Sequence, residues 1–358
     1  MSTASKPAAY LPRPMVIVTG GGTGGHLYPG LAAARALIKA GWPVTYVGAL
    51  GGLEERVLPE SGLPYRIIPA GKLSREALRP AEGAKVLRGL LAARQLVQEL
   101  RPGVVLSMGG YAGFPVAFVA AMLGVPLIVH EQNAKLGLAN RILARWARRV
   151  ALSTPIALPP HLAAKAQVVG YPVQEEKRPQ AEARTALGLD PQRPTLLILG
   201  GSQGSKELNE QLPPRLYPLL EEWQVLHQCG PRWEGALKHL QRPHYHVRGY
   251  VDSVLAWSAA DLAITRGGAG TMSEAAYHRV PVLGIPLPRH LDGGAQWANV
   301  GFYAERGAAR RLESWHDFEA ELGALLNPST REQIRAKLGS LSPAGAAQRL
   351  AQMVLEAV

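Results

Sequence analysis

Short apolar runs ending in glycine clusters recur along the chain. The first run, Met15, Val16, Ile17 and Val18, stops at Thr19 and gives way to Gly20, Gly21, Gly22, Thr23, Gly24 and Gly25. His26, Pro29 and an Ala- and Leu-rich stretch follow. This pattern predicts a buried strand, a tight turn and then a helix over 31–40, closed at Gly41. Strands over 44–47 and 65–68 and helices over 53–61 and 83–100 follow. An apolar run at 104–106 enters a second glycine loop at 109–113, then an apolar helix over 114–123. A strand over 126–130 ends in Glu131, Gln132 and Asn133, before a basic helix over 136–148 and a strand over 150–152.

The pattern breaks at 154–160 and again at 171–194, where Pro, Glu, Gln and Arg dominate, and then restarts. A strand over 195–199 enters a third loop at 200–204. A helix over 206–220 and strands over 224–228, 245–251 and 262–265 lead to a fourth loop at 266–270. Helices over 253–260, 271–278 and 296–306, a strand over 280–285 and two or three helices in the tail complete the reading. Strands alternating with helices predict α/β domains with parallel sheets covered on both faces. Loops one to three carry a strict GGxxG after a strand, and the fourth, Gly267-Gly268-Ala269-Gly270, is a near variant. The chain thus reads as a coarse duplication: two doubly wound domains with glycine loops at the carboxyl edges of their sheets, where such folds bind ligands. The predicted divisions are a loose arm at 1–14, a first domain at 15–163, a second at 164–340 and a terminal segment at 341–358.

Composition narrows the functional classes. Hydrophobic residues make up 47% of the 358, enough for two cores. The single cysteine, Cys229, excludes an internal disulfide framework. Residues 1–14 hold no apolar stretch of signal-peptide type, and no run reaches the ~20 apolar residues of a membrane span. The net charge of +12 calls for an anionic partner: nucleic acid, a phosphorylated substrate or acidic lipid. No aromatic stacking platform or recognition-helix signature supports nucleic acid. There is no His/Cys cluster at metal-ligand spacing and no Asp-x-Asp, so no metal and no cofactor are expected. A diphosphate held without metal needs helix N-termini and basic groups, which four glycine loops can supply. A NAD-type site would want an acidic residue closing the second strand, and Tyr46, Val47 and Gly48 stand there instead.

Several residues carry two readings. His26 sits at a helix start, as a general base or as a polar residue closing the first turn. Glu131 lies just beyond a strand, as a proton acceptor or as a cap for the next helix. Thr271 to Glu274 fits a capping box, and Glu274 equally fits a ribose ligand. Gln296 and Asn299 share a helix face, to grip a sugar or to face solvent. In 71–91, Lys72, Arg75, Arg79, Lys85 and Arg88 interleave with leucines, and 136–149 adds Arg141, Arg145, Arg148 and Arg149 around Trp146. That mixture suits an anionic bilayer surface, or two ordinary amphipathic helices.

The segments GGGTGGHLYPGLA, GGYAGFP, HEQNAKLGLANR, GGSQGS and RGGAGTMSEAA, in this order and spacing, closely resemble the MurG family of bacterial N-acetylglucosaminyltransferases. The resemblance covers roughly residues 14 to 357. It implies a GT-B fold: two Rossmann-like, doubly wound parallel-sheet domains facing a central cleft, with the last helix crossing back to the first domain. It implies inverting, metal-independent transfer of GlcNAc from UDP-GlcNAc to the MurNAc C4 hydroxyl of lipid I, giving lipid II and UDP in peptidoglycan synthesis. By position it assigns UDP-GlcNAc contacts to Ser202, Val251, Ala269, Gly270, Thr271, Met272, Ser273, Glu274 and Gln296, with Thr23, Gly24, Gly25 and Asn133 approaching from the first domain. His26 and Glu131 become the catalytic candidates, with His26 favoured as base, and Tyr111 faces the acceptor. The 71–91 segment becomes a membrane-docking surface. The enzyme is then expected on the cytoplasmic face of the plasma membrane as a peripheral protein, in company with a cell-wall synthesis complex. The family's Gly-Asn-Pro-Val-Arg reads here Gly170-Tyr171-Pro172-Val173-Gln174, which removes its Arg; the second loop's usual Val-Ser-Gly-Pro is Ala112-Gly113-Phe114-Pro115; and Ala295 precedes Gln296. A UDP-GlcNAc 2-epimerase would share the fold without the basic-apolar surface.

Overall fold

The computed structural model describes residues 13–71 and 80–358, so Lys72, Arg75 and Arg79 lie outside the described residues. Two all-parallel sheets organise the chain. The first runs in the order β3-β2-β1-β4-β5-β6-β7, from β1 (Val16–Thr19), β2 (Val44–Ala49), β3 (Tyr65–Ile68), β4 (Val104–Ser107), β5 (Leu127–Glu131), β6 (Arg149–Leu152) and β7 (Ala166–Val168). The second runs β10-β9-β8-β11-β12-β13, from β8 (Thr195–Leu199), β9 (Gln224–Gln228), β10 (Tyr245–Arg248), β11 (Leu262–Thr265), β12 (Val282–Gly284) and β13 (Arg310–Arg311). The first lobe carries helices α1 (Gly24–Lys39), α2 (Glu54–Val57), α3 (Pro80–Leu100), α4 (Gly110–Met122), α5 (Leu138–Leu143) and α6 (Pro160–Ala163). The rest of the chain carries α7 (Gln180–Ala186), α8 (Lys206–Leu216), α9 (Glu234–Leu237), α10 (Ser253–Ala259), α11 (Ala269–His278), α12 (Ala295–Ala304), α13 (Phe318–Leu326), α14 (Pro328–Ser340) and α15 (Ala346–Leu355).

The central strands are apolar on both faces because both faces are covered. Val16 and Val18 of β1 enter one core with Leu27, Leu31 and Leu37 of α1. Ile17, one residue out of phase, enters the opposite core with Val116 and Ala117 of α4. Helix α15 packs on α1, and its Leu350, Met353 and Val354 complete the first lobe's core. A third core fills the second lobe around Leu197, Ile264 and Trp257.

Several elements differ from the pattern-based reading. Helix α1 starts at Gly24 and runs through Pro29, and α4 starts at Gly110 and runs through Pro115. The glycines taken for loop are thus the first turns of helices. The early start of α4 brings Gly113 flush against Gly20, where a Cβ would lie 3.1 Å from the Gly20 Cα. The basic helix expected to Arg148 ends at Leu143. Lys165 Nζ takes the carbonyls of Arg145 and Ala147, and the Arg148 N–H turns to Leu127 O at 2.7 Å, pulling the chain into the sheet. Strands β7 and β13 and helix α7 were not foreseen.

Candidate active site

The glycine loops follow β1, β4, β8 and β11. Each pair of strands is adjacent in its sheet and flanks the point where strand order reverses. Ligands bind in the crevice at such a switch point. Helices α1, α4, α8 and α11 begin at those loops. Ser205 caps α8, accepting the Leu208 N–H on Oγ, whereas Thr23, Gly109 and Gly268 make no side-chain cap. Three helices therefore present uncapped first-turn N–H groups, which attract an anion.

In the first lobe, Thr23 Oγ1 lies 2.9 Å from His26 Nδ1. The ring of His26 lies against Gly110, and burial lowers its pKa from 6.5 to about 4, so the imidazole is neutral. Below the loop sits Glu54, fully buried, accepting the Gly22 N–H, while Tyr46 Oη donates to Gly20 O at 2.9 Å. The Glu54 carboxylate stands where a Cβ at Gly21 or Gly52 would be, so both positions require glycine. Tyr111 covers Gly22, its ring 2.3 Å from the place of a Cβ there. Sequence reasoning passed over Glu54: in its short helix it looks like any solvated acid.

Glu131 is buried and accepts four hydrogen bonds. Oε1 takes the backbone N–H and Nδ2 of Asn133, at 3.0 and 3.1 Å; Oε2 takes Gly137 N at 2.8 Å and Asn140 Nδ2 at 3.0 Å. Gly137 is the N-cap of α5, so one of the four bonds fits the capping alternative, while the two from Asn133 tie the carboxylate to its own loop.

In the second lobe, a cavity of about 470 Å³ beside the third loop is lined by Gly200, Gly204, Ser205, Arg266, Leu287 and Gln296. It brings Gln296 next to the third loop, in which Ser202 is exposed. Gln296 Oε1 accepts the Leu287 N–H at 3.0 Å, and Asp292 caps α12 by accepting the N–H groups of Gly294 and Gln296. Arg266, a second residue the sequence did not flag, braces the two loops of this lobe: it donates to Ser205 Oγ, Glu207 Oε2 and Ile285 O.

The capping-box reading of Thr271 and Glu274 is corrected. Helix α11 starts at Ala269 with Gly268 as N-cap, so Thr271 is already inside the first turn. Glu274 instead accepts from Ser253 Oγ at 2.8 Å and Trp257 Nε1 at 3.0 Å, both on α10, and burial raises its pKa. Met272 is fully buried in the core with its N–H given to Gly268 O, and Ser273 is buried against Tyr303. The open first turn thus belongs to Ala269, Gly270 and Thr271. Val251 is buried at the edge of the same core.

Asn299, for which a solvated face was one reading, is buried: Nδ2 donates to Asn133 Oδ1 and Gly267 O, both at 3.2 Å, and Oδ1 accepts Ala134 N–H at 2.8 Å. Lys135 Nζ reaches Gly293 O at 2.8 Å, and Tyr171 Oη reaches Gly25 O at 3.1 Å. Gln174 pairs with Glu176 at 3.3 Å. Among the described residues no group of His, Cys, Asp and Glu is placed to hold a metal ion, and no helix is long and apolar enough to cross a membrane. Exposed apolar side chains stand on α3 (Leu87, Leu91), at the end of α4 (Met122, Leu123) and on the turn after α5 (Trp146), helices that pack in series. Lys85, Arg88, Arg141 and Arg145 are exposed on the same elements, and Arg149 is exposed at the start of β6.

Residues 16–152 match the Glycosyltransferase family 28 N-terminal domain and residues 195–337 the Glycosyltransferase family 28 C-terminal domain. The chain is 55% identical over 341 residues to the UDP-N-acetylglucosamine–N-acetylmuramyl-(pentapeptide) pyrophosphoryl-undecaprenol N-acetylglucosamine transferase of Thermus thermophilus, spanning 95% of this chain and 99% of the relative. The protein of the same name from Deinococcus radiodurans is 38% identical, with 95% of each chain covered. The crystal structure of Acinetobacter baumannii MurG superposes with a TM-score of 0.77 at 28% identity, over 96% of this chain and all of that one.

Proposed function

The chain belongs to glycosyltransferase family 28, with the GT-B fold of two facing parallel-sheet lobes, and from that premise we propose how its residues divide the work of the reaction. The protein is an N-acetylglucosaminyltransferase of peptidoglycan synthesis: it moves GlcNAc from UDP-GlcNAc to lipid I and forms lipid II. The observation that carries the division of labour is the set of glycine-loop helix starts at the switch points of two sheets, three of them uncapped.

Direct displacement at the anomeric carbon needs a proton acceptor for the incoming C4 hydroxyl on one side and a stabilised diphosphate on the other, and it inverts the anomeric centre. The leaving UDP gains negative charge as the bond breaks. The N–H groups of Ala269, Gly270 and Thr271 and the loop around Ser202 are preorganised dipoles for that charge. Glu274 keeps lone pairs beyond its two bonds to α10 and takes the ribose hydroxyls. Val251 lies beside the uracil. Gln296 spends its carbonyl on Leu287 and offers Nε2 to the sugar. On the other side, neutral His26 takes the acceptor proton, with Thr23 Oγ1 orienting its ring through Nδ1. Thr23, Gly24 and Gly25 approach the sugar and Tyr111 faces the acceptor. Glu131 and Asn133 build the loop that meets the second lobe.

The exposed leucines and arginines of α3 to α5 dock the enzyme on the anionic cytoplasmic surface of the membrane that carries lipid I. The deciding experiment is transfer of labelled GlcNAc to a lipid I analogue, with and without EDTA. Transfer at equal rates in both is the expected result. Conversion of UDP-GlcNAc to UDP-ManNAc without acceptor, or loss of transfer on chelation, overturns this account.

A further inference from the structure

Tyr171 stands where the two lobes join, and its surroundings are built for its hydroxyl. The backbone leading into it is fastened to the first lobe: Arg349 Nε donates to Val169 O at 2.9 Å, and His130 Nε2 lies 3.0 Å from Gly170 O. Gly170 has φ +90°, which lets the chain turn there. The ring is then buried, with its tip between two helix starts. On one side Oη donates to Gly25 O at 3.1 Å. That carbonyl is accessible for a chemical reason: its partner in an α-helix would be the N–H four residues on, and that residue is Pro29, which has none. On the other side, a Cβ at Gly270 would lie 2.8 Å from Oη and 3.2 Å from Cζ, so the ring tip rests on the bare Cα of Gly270. Gly25 and Gly270 are each the second residue of their helix, α1 and α11. The next residues are His26 and Thr271.

We propose that Tyr171 is a positioning residue that sets the distance between the acceptor side of the reaction, at the start of α1, and the leaving-group side, at the start of α11. This rests on the transferase reading above. The reacting carbon lies between those two helix starts, and misplacement by about 1 Å at such a centre costs on the order of 100-fold in rate. The hydroxyl acts by contact with backbone and does not touch substrate. Burial and the nearby Glu274 carboxylate both raise the pKa of this phenol, so it stays protonated and a donor.

The test uses the full chain with UDP-GlcNAc and a lipid I analogue. Tyr171→Phe is expected to lower kcat about 10- to 100-fold, leave the Kd for UDP unchanged by calorimetry, and keep the enzyme folded at the assay temperature. Gly270→Ala, which drives a methyl group into the hydroxyl, is expected to lower kcat alone and to cost clearly less in the Tyr171→Phe background, where only the looser contact with the ring carbon Cζ remains. A kcat for Tyr171→Phe equal to wild type, or fully additive effects in the double variant, overturns the proposal. Failure of the wild-type enzyme to transfer GlcNAc overturns the transferase reading itself, and is told apart because it needs no variant.

Discussion

Asn299 donates through Nδ2 to Oδ1 of Asn133, 3.2 Å away in the other lobe, and accepts the N–H of the adjacent Ala134 at 2.8 Å. The same amide nitrogen reaches Gly267 O in the fourth glycine loop. One buried side chain thus ties that loop to the segment beyond β5. Asn299→Ala leaves the buried Gly267 carbonyl and the half-buried Ala134 N–H without this partner, at about 1–3 kcal/mol for a buried group stranded. The variant is expected to melt earlier, to show a larger radius of gyration by small-angle scattering and to lose kcat/KM for UDP-GlcNAc. An unchanged radius together with unchanged kcat/KM would remove Asn299 from the coupling of the lobes.

The lowered pKa of His26 gives a pH prediction with a definite sign. An imidazole with a folded pKa of about 4 and an unfolded value near 6.5 binds fewer protons when folded. Its contribution to stability is complete above the unfolded pKa and is lost as pH falls towards the folded one. The Tm of His26→Ala should therefore gain on that of wild type as pH is lowered through this window. If His26 is the base, kcat holds level through pH 6.5 and declines only towards about 4, and His26→Ala loses about 100- to 10,000-fold in kcat. An acid limb near 6.5 that disappears in His26→Ala contradicts the burial argument; near-native kcat in His26→Ala removes His26 as base.

Glu131 and His26 separate by the company their losses keep. Glu131 accepts four donors, so Glu131→Gln turns an NH2 group towards N–H groups and unsettles the segment that carries Asn133. Loss of kcat is expected together with a lower Tm, whereas His26→Ala should lose far more kcat for the Tm it gives up, since it strands only one side-chain partner. Loss of kcat in Glu131→Gln at an unchanged Tm would restore Glu131 as the proton acceptor.

What the sequence made legible follows from burial. Strands covered on both faces must be apolar, so β1, β4, β8 and β11 stand out, and the glycines after them mark the switch points. The edge strands β7 (Ala166, Gln167, Val168) and β13 (Arg310, Arg311) are short and partly polar, and carry no such signal. Helix starts were misplaced where glycine was taken only as a loop residue. At Gly110 it lies in a first turn because the Gly21 carbonyl comes too close for a side chain, and at Gly24 the ring of Tyr28 takes the space. The roles of Glu54, Arg266 and Asn299 were invisible for a further reason. Each is a polar residue whose partners lie far away in sequence, and only the folded chain brings a carboxylate under Gly22 or a guanidinium between two loops.

Glu274 tests the donor side. Its two bonds to Ser253 and Trp257 fix the carboxylate of this second-turn residue of α11 against α10. Glu274→Ala removes a charged acceptor, at about 1.5–3 kcal/mol for each ribose bond lost, so KM for UDP-GlcNAc should rise by at least about 10-fold. Both α10 donors also lose their partner, so Tm should fall. Glu274→Gln keeps one acceptor oxygen and should recover part of KM. A normal KM in the alanine variant would place the ribose elsewhere.

The surface of α3 to α5 makes the last prediction, and it separates docking from chemistry. Leu87 and Leu91 are 59% and 56% exposed and one helical turn apart, with Arg88 exposed between them. Trp146, 46% exposed, stands edge-on to Phe118 of α4 at 5.8 Å. Exposed leucines lose nothing in the folded enzyme when made polar, but each gains about 1.5–2 kcal/mol on entering hydrocarbon. The double change Leu87→Ser, Leu91→Ser is therefore expected to weaken binding to anionic vesicles by about 100- to 1,000-fold, with Tm unchanged. Arg88→Ala should cost about 1 kcal/mol, or about 5-fold, on anionic vesicles and nothing on neutral ones, and the difference should shrink as salt is raised. Because none of these side chains belongs to the glycine-loop helix starts proposed to carry the reaction, kcat with a short-chain, water-soluble acceptor should be unaffected in all of these variants. Equal vesicle binding by wild type and the double leucine variant would show that this face is an ordinary wet helix surface. Loss of activity with the soluble acceptor would show that it belongs to the reaction instead.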